Sequence, residues 1–97
     1  MFADRQPEVE RRRHERHPAN GRITLWWTDG TGRKIEGRLV DISASGFRVA
    51  HGCAEVGAGD EVRFEHPGGE GMARTIWTRI LAESVETGLV VLSQSLT

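Results

Sequence analysis

Residues 23–39 read ITLWWTDGTGRKIEGRL, and this stretch decides the fold class. The apolar side chains of Ile23, Leu25 and Trp27 alternate with the residues between them, which is the two-residue period of a half-buried β-strand. The sequence DGTG at 29–32 is typical of a hairpin connection, and alternation resumes after it, up to residue 39. The stretch therefore predicts two antiparallel β-strands joined by a tight turn.

The alternation changes parity next to Asp41. Val40 and Ile42 carry the apolar side chains there, so we expect a β-bulge or a sharp bend at Asp41. The polar turn SASG at 43–46 then leads into the alternating segment 47–49. A second hairpin is therefore expected directly after the first.

The remainder of the chain places short apolar runs between Gly-rich turns. Val62 and Phe64 alternate with charged residues, and a final apolar run follows Gly88. Residues 72–85 combine apolar side chains at helical spacing with strand-forming residues, so we predict a long strand there and keep a partly helical segment as the alternative. About six short strands without a secure helix predict an all-β fold, a six-stranded antiparallel β-barrel whose closure removes exposed strand edges.

Composition divides the chain into four segments. Residues 1–10 are polar and are predicted to be a flexible N-terminal arm. Residues 11–22 form an Arg-rich lead-in, and residues 23–93 are predicted to form the barrel domain. Residues 94–97 are predicted to be a tail, where the start of a C-terminal helix stays open.

A chain of 97 residues, 37% hydrophobic and 28% charged, predicts one small soluble domain and excludes large enzyme folds. The net charge of -1 provides no field that would favour a nucleic acid polymer or an anionic membrane as the main partner. The charge is uneven, because residues 1–22 hold six Arg and four acidic residues, whereas residues 23–97 hold seven basic and ten acidic residues. We therefore expect a surface site near the basic end rather than a deep catalytic chamber.

The chain has one cysteine, Cys53, so an intrachain disulfide is excluded. No stretch has the apolar core of a signal peptide or the roughly 18 apolar residues of a membrane span. We therefore expect a cytoplasmic protein without membrane insertion.

Two short motifs combine chemically useful side chains. Arg12 and Arg16 lie four residues apart in the lead-in and are accompanied by Arg11, although an Arg cluster alone is more often a solvated tail. The turn at 41–46 contains Asp41-x-Ser43-x-x-Gly46, although these residue types alone are more often structural turn formers. Their order and spacing within an all-β pattern favour a binding function over either structural interpretation.

The two motifs together resemble the PilZ family, bacterial receptors for cyclic di-GMP, over residues 11 to 92. The family has R-x-x-x-R on an N-terminal lead-in and [D/N]-x-S-x-x-G on a barrel turn, matched here by Arg12…Arg16 and Asp41-x-Ser43-x-x-Gly46. The resemblance implies that these residues bind cyclic di-GMP. Arg11 precedes the Arg motif at the family position that influences whether one ligand or a stacked pair is bound, and its charge favours two.

The chemistry of the motif residues agrees with this ligand. An Arg fork can bind guanine O6 and N7 together, or a phosphate, and can stack on the base. Asp41 can accept hydrogen bonds from guanine N–H groups, Ser43 offers a hydroxyl, and Gly46 allows close approach. The resemblance therefore implies a non-catalytic second-messenger receptor, linked through its family to motility, biofilm formation and exopolysaccharide control.

The lead-in has no apolar anchor, so we expect the ligand to order it and to present a new surface to an effector protein. The alternative is an interaction adaptor of the same family that does not bind the nucleotide. A small oligonucleotide-binding barrel is disfavoured by the net charge of -3 over residues 23–97.

Other site chemistries are weaker. Ser43, Asp41 and His51 could supply a hydrolase triad, but no G-x-S-x-G elbow is present, and we expect no enzyme activity. Metal binding by the pairs His14/His17 or His51/Cys53 is disfavoured because structural zinc takes four ligands, so no metal and no cofactor are expected. The three tryptophans are expected to pack in the core or at the rim more often than to stack on bases; they are Trp26, Trp27 and Trp77.

Overall fold

The computed structural model describes residues 17–96, which form seven β-strands without a helix. In chain order the strands are β1 (His17–Pro18), β2 (Arg22–Trp27), β3 (Lys34–Ile42), β4 (Gly46–His51), β5 (Glu61–His66), β6 (Gly69–Ile80) and β7 (Val85–Leu96). No helix long and apolar enough to cross a membrane occurs in this part of the chain.

Six of the strands close into an antiparallel barrel. The hydrogen-bonded order is β3-β2-β5-β6-β7-β4, and a further pairing between β4 and β3 closes the ring. Strand β1 lies outside the ring and pairs with the end of β3. The prediction of an all-β, six-stranded antiparallel barrel is therefore confirmed.

The core is built from the residues that alternate along these strands. Phe47 on β4 and Phe64 on β5 meet edge to face, with ring centroids 5.0 Å apart. Each fully buried aliphatic or aromatic side chain contributes about 1.5–3 kcal/mol to folding. The buried apolar side chains are Ile23, Leu25, Trp27, Ile35, Leu39, Phe47, Val49, Val56, Val62, Phe64, Ala73, Val85 and Leu89.

The expected irregularity at Asp41 is confirmed. Leu39 pairs with Val49, but the next pair is Asp41 with Arg48, so Val40 has no register partner on β4. Because adjacent strand residues point to opposite faces, this bulge turns Asp41 to the outer face that carries Arg48. Ile42 consequently packs against the core.

The last two strands differ in extent from the prediction. Residues 69–80 are one strand, so the partly helical alternative for 72–85 is wrong, and the chain turns at residues 81–84. Strand β7 begins at Val85 and continues to Leu96, which pairs with Gly69. Residues 94–96, predicted as a tail, therefore belong to the sheet, because the full length of β6 is available as their partner.

Candidate functional site

The turn between β3 and β4 brings Asp41, Ser43 and Gly46 together. The Ser43 backbone N–H donates to the Gly46 carbonyl over 2.8 Å, and the Ser43 hydroxyl donates to the same oxygen over 3.3 Å. A three-residue connection between paired strands is held closed by these bonds. The second motif therefore forms one compact hairpin end, as the sequence predicts.

Asp41 is a nearly buried carboxylate, with 7% of its surface exposed. Arg48, its register partner, donates from Nε to Asp41 Oδ2 over 2.9 Å and makes a second bond from Nη2 to the same oxygen. Burial of a charge is costly unless it is paired and hydrogen-bonded, and Arg48 provides both. The bond to Asp41 raises the pKa of Arg48.

The ion pair extends into a row of alternating charges across the sheet. Arg48 Nη1 lies 3.5 Å from Glu86 Oε1 on β7, and Arg79 Nη2 on β6 donates to the same Glu86 oxygen over 3.0 Å. Two carboxylates and two guanidinium groups therefore alternate over four adjacent strands. Their charges balance, and each arginine holds a carboxylate that faces it.

An aromatic ring continues the outer face beyond Arg48. Arg48 pairs with Gly88, and Gly88 pairs with Trp77, which is 37% exposed. A Cβ atom on Gly88 would lie 2.3 Å from Trp77 Cε2, so the indole covers the glycine. A carboxylate, a guanidinium group and an aromatic plane therefore share the outer face of the barrel.

Sequence reasoning identified neither Arg48 nor Trp77 as part of this face. Arg48 follows Gly46 by two residues, and strand alternation places its side chain on the outer face, away from core residue Val49. Its pairing with Asp41 on β3, however, depends on the bulge. Residue type alone predicts a packing role for Trp77. Its pairing with Gly88 depends on a second register shift, between Thr75 and Trp77. Trp27, in contrast, is a core residue, as expected.

Gly46 is required by strand packing. A Cβ atom there would lie 2.1 Å from the Leu89 carbonyl oxygen, which no real Cβ approaches. Its φ is not positive, so left-handed backbone is not the reason for glycine at this position. The close contact between β4 and β7 explains Gly46 without a ligand, and the expected close approach of a ligand there stays a prediction.

The end of the lead-in lies against the same hairpin. His17 pairs with Ile42 and Pro18 pairs with Asp41, while the Ala19 N–H donates to the Val40 carbonyl over 3.1 Å. A depression of about 310 Å³ is lined by Pro18, Ala19 and Asn20. The sheet therefore holds the chain that follows the Arg motif next to Asp41.

The three arginines assigned to the ligand, Arg11, Arg12 and Arg16, lie outside the described residues, as do the predicted N-terminal arm and His14. Arg16 is separated by one peptide bond from His17, which is paired to β3.

The remaining candidates have other contacts. His51 Nε2 lies 2.7 Å from Thr87 Oγ1, and its Nδ1 accepts a hydrogen bond from the Cys53 N–H. Cys53 Sγ accepts from Arg33 Nη2 over 3.3 Å. Within residues 17–96, no three His, Cys, Asp or Glu side chains are grouped closely enough to hold a metal ion.

Comparison of the chain with protein-family models and with curated proteins finds no match.

Proposed function

We propose that this protein is a non-catalytic receptor of the PilZ type that binds cyclic di-GMP on the outer face of its barrel. The observation that carries the proposal is the register of β1 on β3, in which Pro18 lies opposite Asp41. The chain that follows the Arg motif is thereby paired with the end of the strand that carries Asp41. The proposal assigns binding to Arg11, Arg12 and Arg16 on one side and to Asp41, Ser43 and Gly46 on the other.

The chemistry of the outer face supports a nucleotide with both anionic and purine parts. The guanidinium groups of the lead-in suit phosphate oxygens and the O6/N7 edge of guanine. The carboxylate of Asp41 suits the guanine N1–H and N2–H groups on the opposite edge. Trp77 offers a flat surface on the same face, and base stacking on an aromatic ring contributes about 1–3 kcal/mol.

Arg48 has a defined part in this proposal. Its Nε and Nη2 atoms bond to Asp41 Oδ2 in the structure, so a guanine must share that carboxylate with Arg48 or displace it. A displaced Arg48 guanidinium would stay close to Asp41 and could pair with a ligand phosphate instead. In the proposed site, the Asp41 carboxylate is held by Arg48 before the ligand binds, and Arg48 can exchange this carboxylate for a ligand phosphate.

The proposed output is the ordering of residues before β1 when the ligand bridges them to the barrel. The ordered segment would present a new surface to an effector protein in the cytoplasm. The alternative is an adaptor that binds a partner protein without the nucleotide, and the engagement of Asp41 with Arg48 is the observation that favours it.

The test is calorimetric titration of the full chain with cyclic di-GMP. Binding at micromolar concentrations is expected, and Arg12→Ala, Arg16→Ala and Asp41→Ala should each weaken it about ten- to a hundred-fold. Arg5→Ala is the matched control, since it removes one N-terminal charge outside both motifs and should change affinity less than about threefold. Unchanged circular dichroism would show that each variant folds.

The same titration gives the stoichiometry. Two ligands per chain are expected, and Arg11→Ala should reduce the number to one. The absence of heat at millimolar ligand would overturn the receptor proposal and leave the adaptor. Equal losses in Arg5→Ala and Arg12→Ala would instead show that the N-terminal charge acts without a specific site.

A further inference from the structure

One half of β6 has an unpaired edge in the described part of the chain. Strand β5 pairs with β6 only at Gly69–Arg74, and the Thr75 N–H donates to the Asp60 carbonyl over 2.9 Å. Residues 77–80 then pair with β7 alone, and Ile76 is the bulged residue between Thr75 and Trp77. The segment 76–80 reads IWTRI and contains a single charge. Folded proteins usually protect such edges with charges, proline or covering chain, so this edge is a candidate interaction surface.

The side chains of this edge are unusually exposed for their type. Ile80 is 70% exposed, Ile76 is 49% exposed and Trp77 is 37% exposed. Leu81, in the following turn, is 40% exposed. Apolar side chains therefore accompany unpaired backbone along the same short segment, which is the combination that a docked β-strand would cover.

The hairpin geometry shows which backbone groups point outward. The Leu81 N–H donates to the Ser84 carbonyl over 2.8 Å, so Leu81 and Ser84 form a hydrogen-bonded pair. Hydrogen-bonded and non-hydrogen-bonded pairs alternate along an antiparallel ladder. Arg79 and Trp77 therefore bond towards β7, and the N–H and C=O groups of Thr78 and Ile80 point to the open side.

We propose that this edge, residues 76–80, pairs in antiparallel register with the same edge of a second copy of the chain. The two-fold axis passes beside Thr78, so the two Thr78 residues face one another and exchange backbone hydrogen bonds. Trp77 of each copy then lies opposite Arg79 of the other, on the outer face. The segment is self-complementary in this register, as an isologous interface requires.

Charge complementarity favours this register, and it favours a second copy of the chain as the partner. Pairing about residue 79 would place two Arg79 side chains opposite one another, whereas pairing about Thr78 opposes each cation with an aromatic ring. The same attraction is present within one chain, where Arg79 Cζ lies 5.5 Å from the centroid of Trp77. A second copy therefore meets the edge with two cation–π pairs and no opposed like charges.

The dimer also extends the outer face described above. The row from Asp41 through Arg48 and Gly88 ends at Trp77, and the second copy would place its Arg79 next in that row. This dimer does not depend on ligand binding, so it is tested without cyclic di-GMP. A short paired edge buries little area, so dissociation constants on the order of 10–100 μM are expected.

The experiment is analytical ultracentrifugation of the full chain from about 5 to 500 μM. A monomer–dimer equilibrium is expected, and Trp77→Arg should abolish it because two like-charged pairs are created. Arg79→Glu should weaken the dimer at least about fivefold, since both cation–π pairs are lost. The matched control is Arg74→Glu, which makes the same charge change on the part of β6 that β5 covers and should leave the equilibrium unchanged.

Mixing the two variants gives the decisive result. Trp77→Arg and Arg79→Glu chains should form a mixed dimer, because the arginine introduced in one copy would face the glutamate introduced in the other. The Arg79 that the first variant retains would face the Trp77 that the second retains. A parent chain that stays monomeric at about 500 μM, or variants that fail to recover dimerisation on mixing although folded, would overturn the proposal. A dimer that Arg74→Glu disrupts equally would place the interface elsewhere.

Discussion

Asp41 shows how one side chain can serve stability and a proposed site together. It lies on the outer face because the bulge at Val40 shifts its parity, yet only 7% of its surface is exposed. Arg48 compensates the buried charge through two bonds to one oxygen. The arrangement therefore pairs a nearly buried carboxylate with a cation on the neighbouring strand.

Removal of the Arg48 side chain should destabilise the fold, because the buried Asp41 carboxylate is bonded to it. We predict that Arg48→Ala lowers the free energy of unfolding by about 1–3 kcal/mol, because the two bonds from Arg48 to the buried Asp41 carboxylate are lost. Urea unfolding followed by tryptophan fluorescence measures the change. Arg38→Ala, an exposed arginine on β3, is the control and should cost less than about 0.5 kcal/mol. Equal stability of the two variants would contradict the compensating role of Arg48.

His51 is predicted to make stability depend on pH. Burial, and then the nearby charge of Arg33, lower the pKa of His51 below its ordinary value of 6.5. Its Nδ1 accepts from the Cys53 N–H, so the neutral ring carries its proton on Nε2 and donates to Thr87. Protonation of Nδ1 would break the Cys53 bond. Burial also lowers the pKa of His66.

The sign of the pH dependence follows from the order of protonation. As the pH falls through about 6.5, the unfolded chain binds the proton before the folded one, so stability is full above that value and declines below it. Urea midpoints measured from about pH 8 to pH 5 should therefore decrease towards acid. His51→Gln should reduce the slope of stability against pH, and the remaining slope should be the contribution of His66. An unchanged slope in this variant would exclude His51 as the source.

At the scale of strands, glycine decides how closely neighbours approach. Gly46→Ala should lower the free energy of unfolding by about 1–3 kcal/mol, because the new Cβ would lie 2.1 Å from the Leu89 carbonyl oxygen. Gly52→Ala is the matched control, since nothing lies within 4 Å of its Cβ position and its φ is not positive. The control should stay within about 0.5 kcal/mol of the parent in the same urea assay. If both variants lose the same stability, packing against β7 is not the reason for Gly46.

The strands show which parts of the fold the sequence could predict. The parity change around Asp41 predicted the bulge because one face of β3 is buried and a register slip would expose its apolar residues. The end of β7 was predicted less well, since residues 93–96 pair with β6 although they are mostly polar. Backbone pairing with an available partner thus extends a strand beyond its apolar pattern.

The candidate site was predictable to the same degree. Asp41, Ser43 and Gly46 are close in sequence, so their turn could be recognised from residue types alone. The partner of Arg48 on β3 and the position of Trp77 beside Gly88 each depend on a register shift, one on β3 and one on β6. Cross-strand neighbours depend on such shifts, and the spacing of residues in one strand does not determine them.

At the scale of the whole molecule, closure of the barrel places the end of the lead-in beside the β3–β4 turn. Strand β1 pairs with β3 on the side where β2 has ended, and β4 pairs with β3 on the other side. Asp41 therefore lies between the lead-in and the strand that carries Arg48. A ligand held by both motifs would connect the chain before β1 to the closed ring.

This connection leads to a prediction for the intact chain under the proposed function. Cyclic di-GMP should slow amide hydrogen exchange across residues 5–20, because the ligand would tie the Arg motif to the outer face of the barrel. Exchange within β5, which carries none of the proposed contact residues, should change much less and serves as the internal control. In Asp41→Ala the slowing should be lost at ligand concentrations that saturate the parent. If the parent binds the nucleotide but residues 5–20 exchange at the same rate with and without it, binding occurs without ordering, and the signal to a partner must arise from the changed surface of the barrel itself.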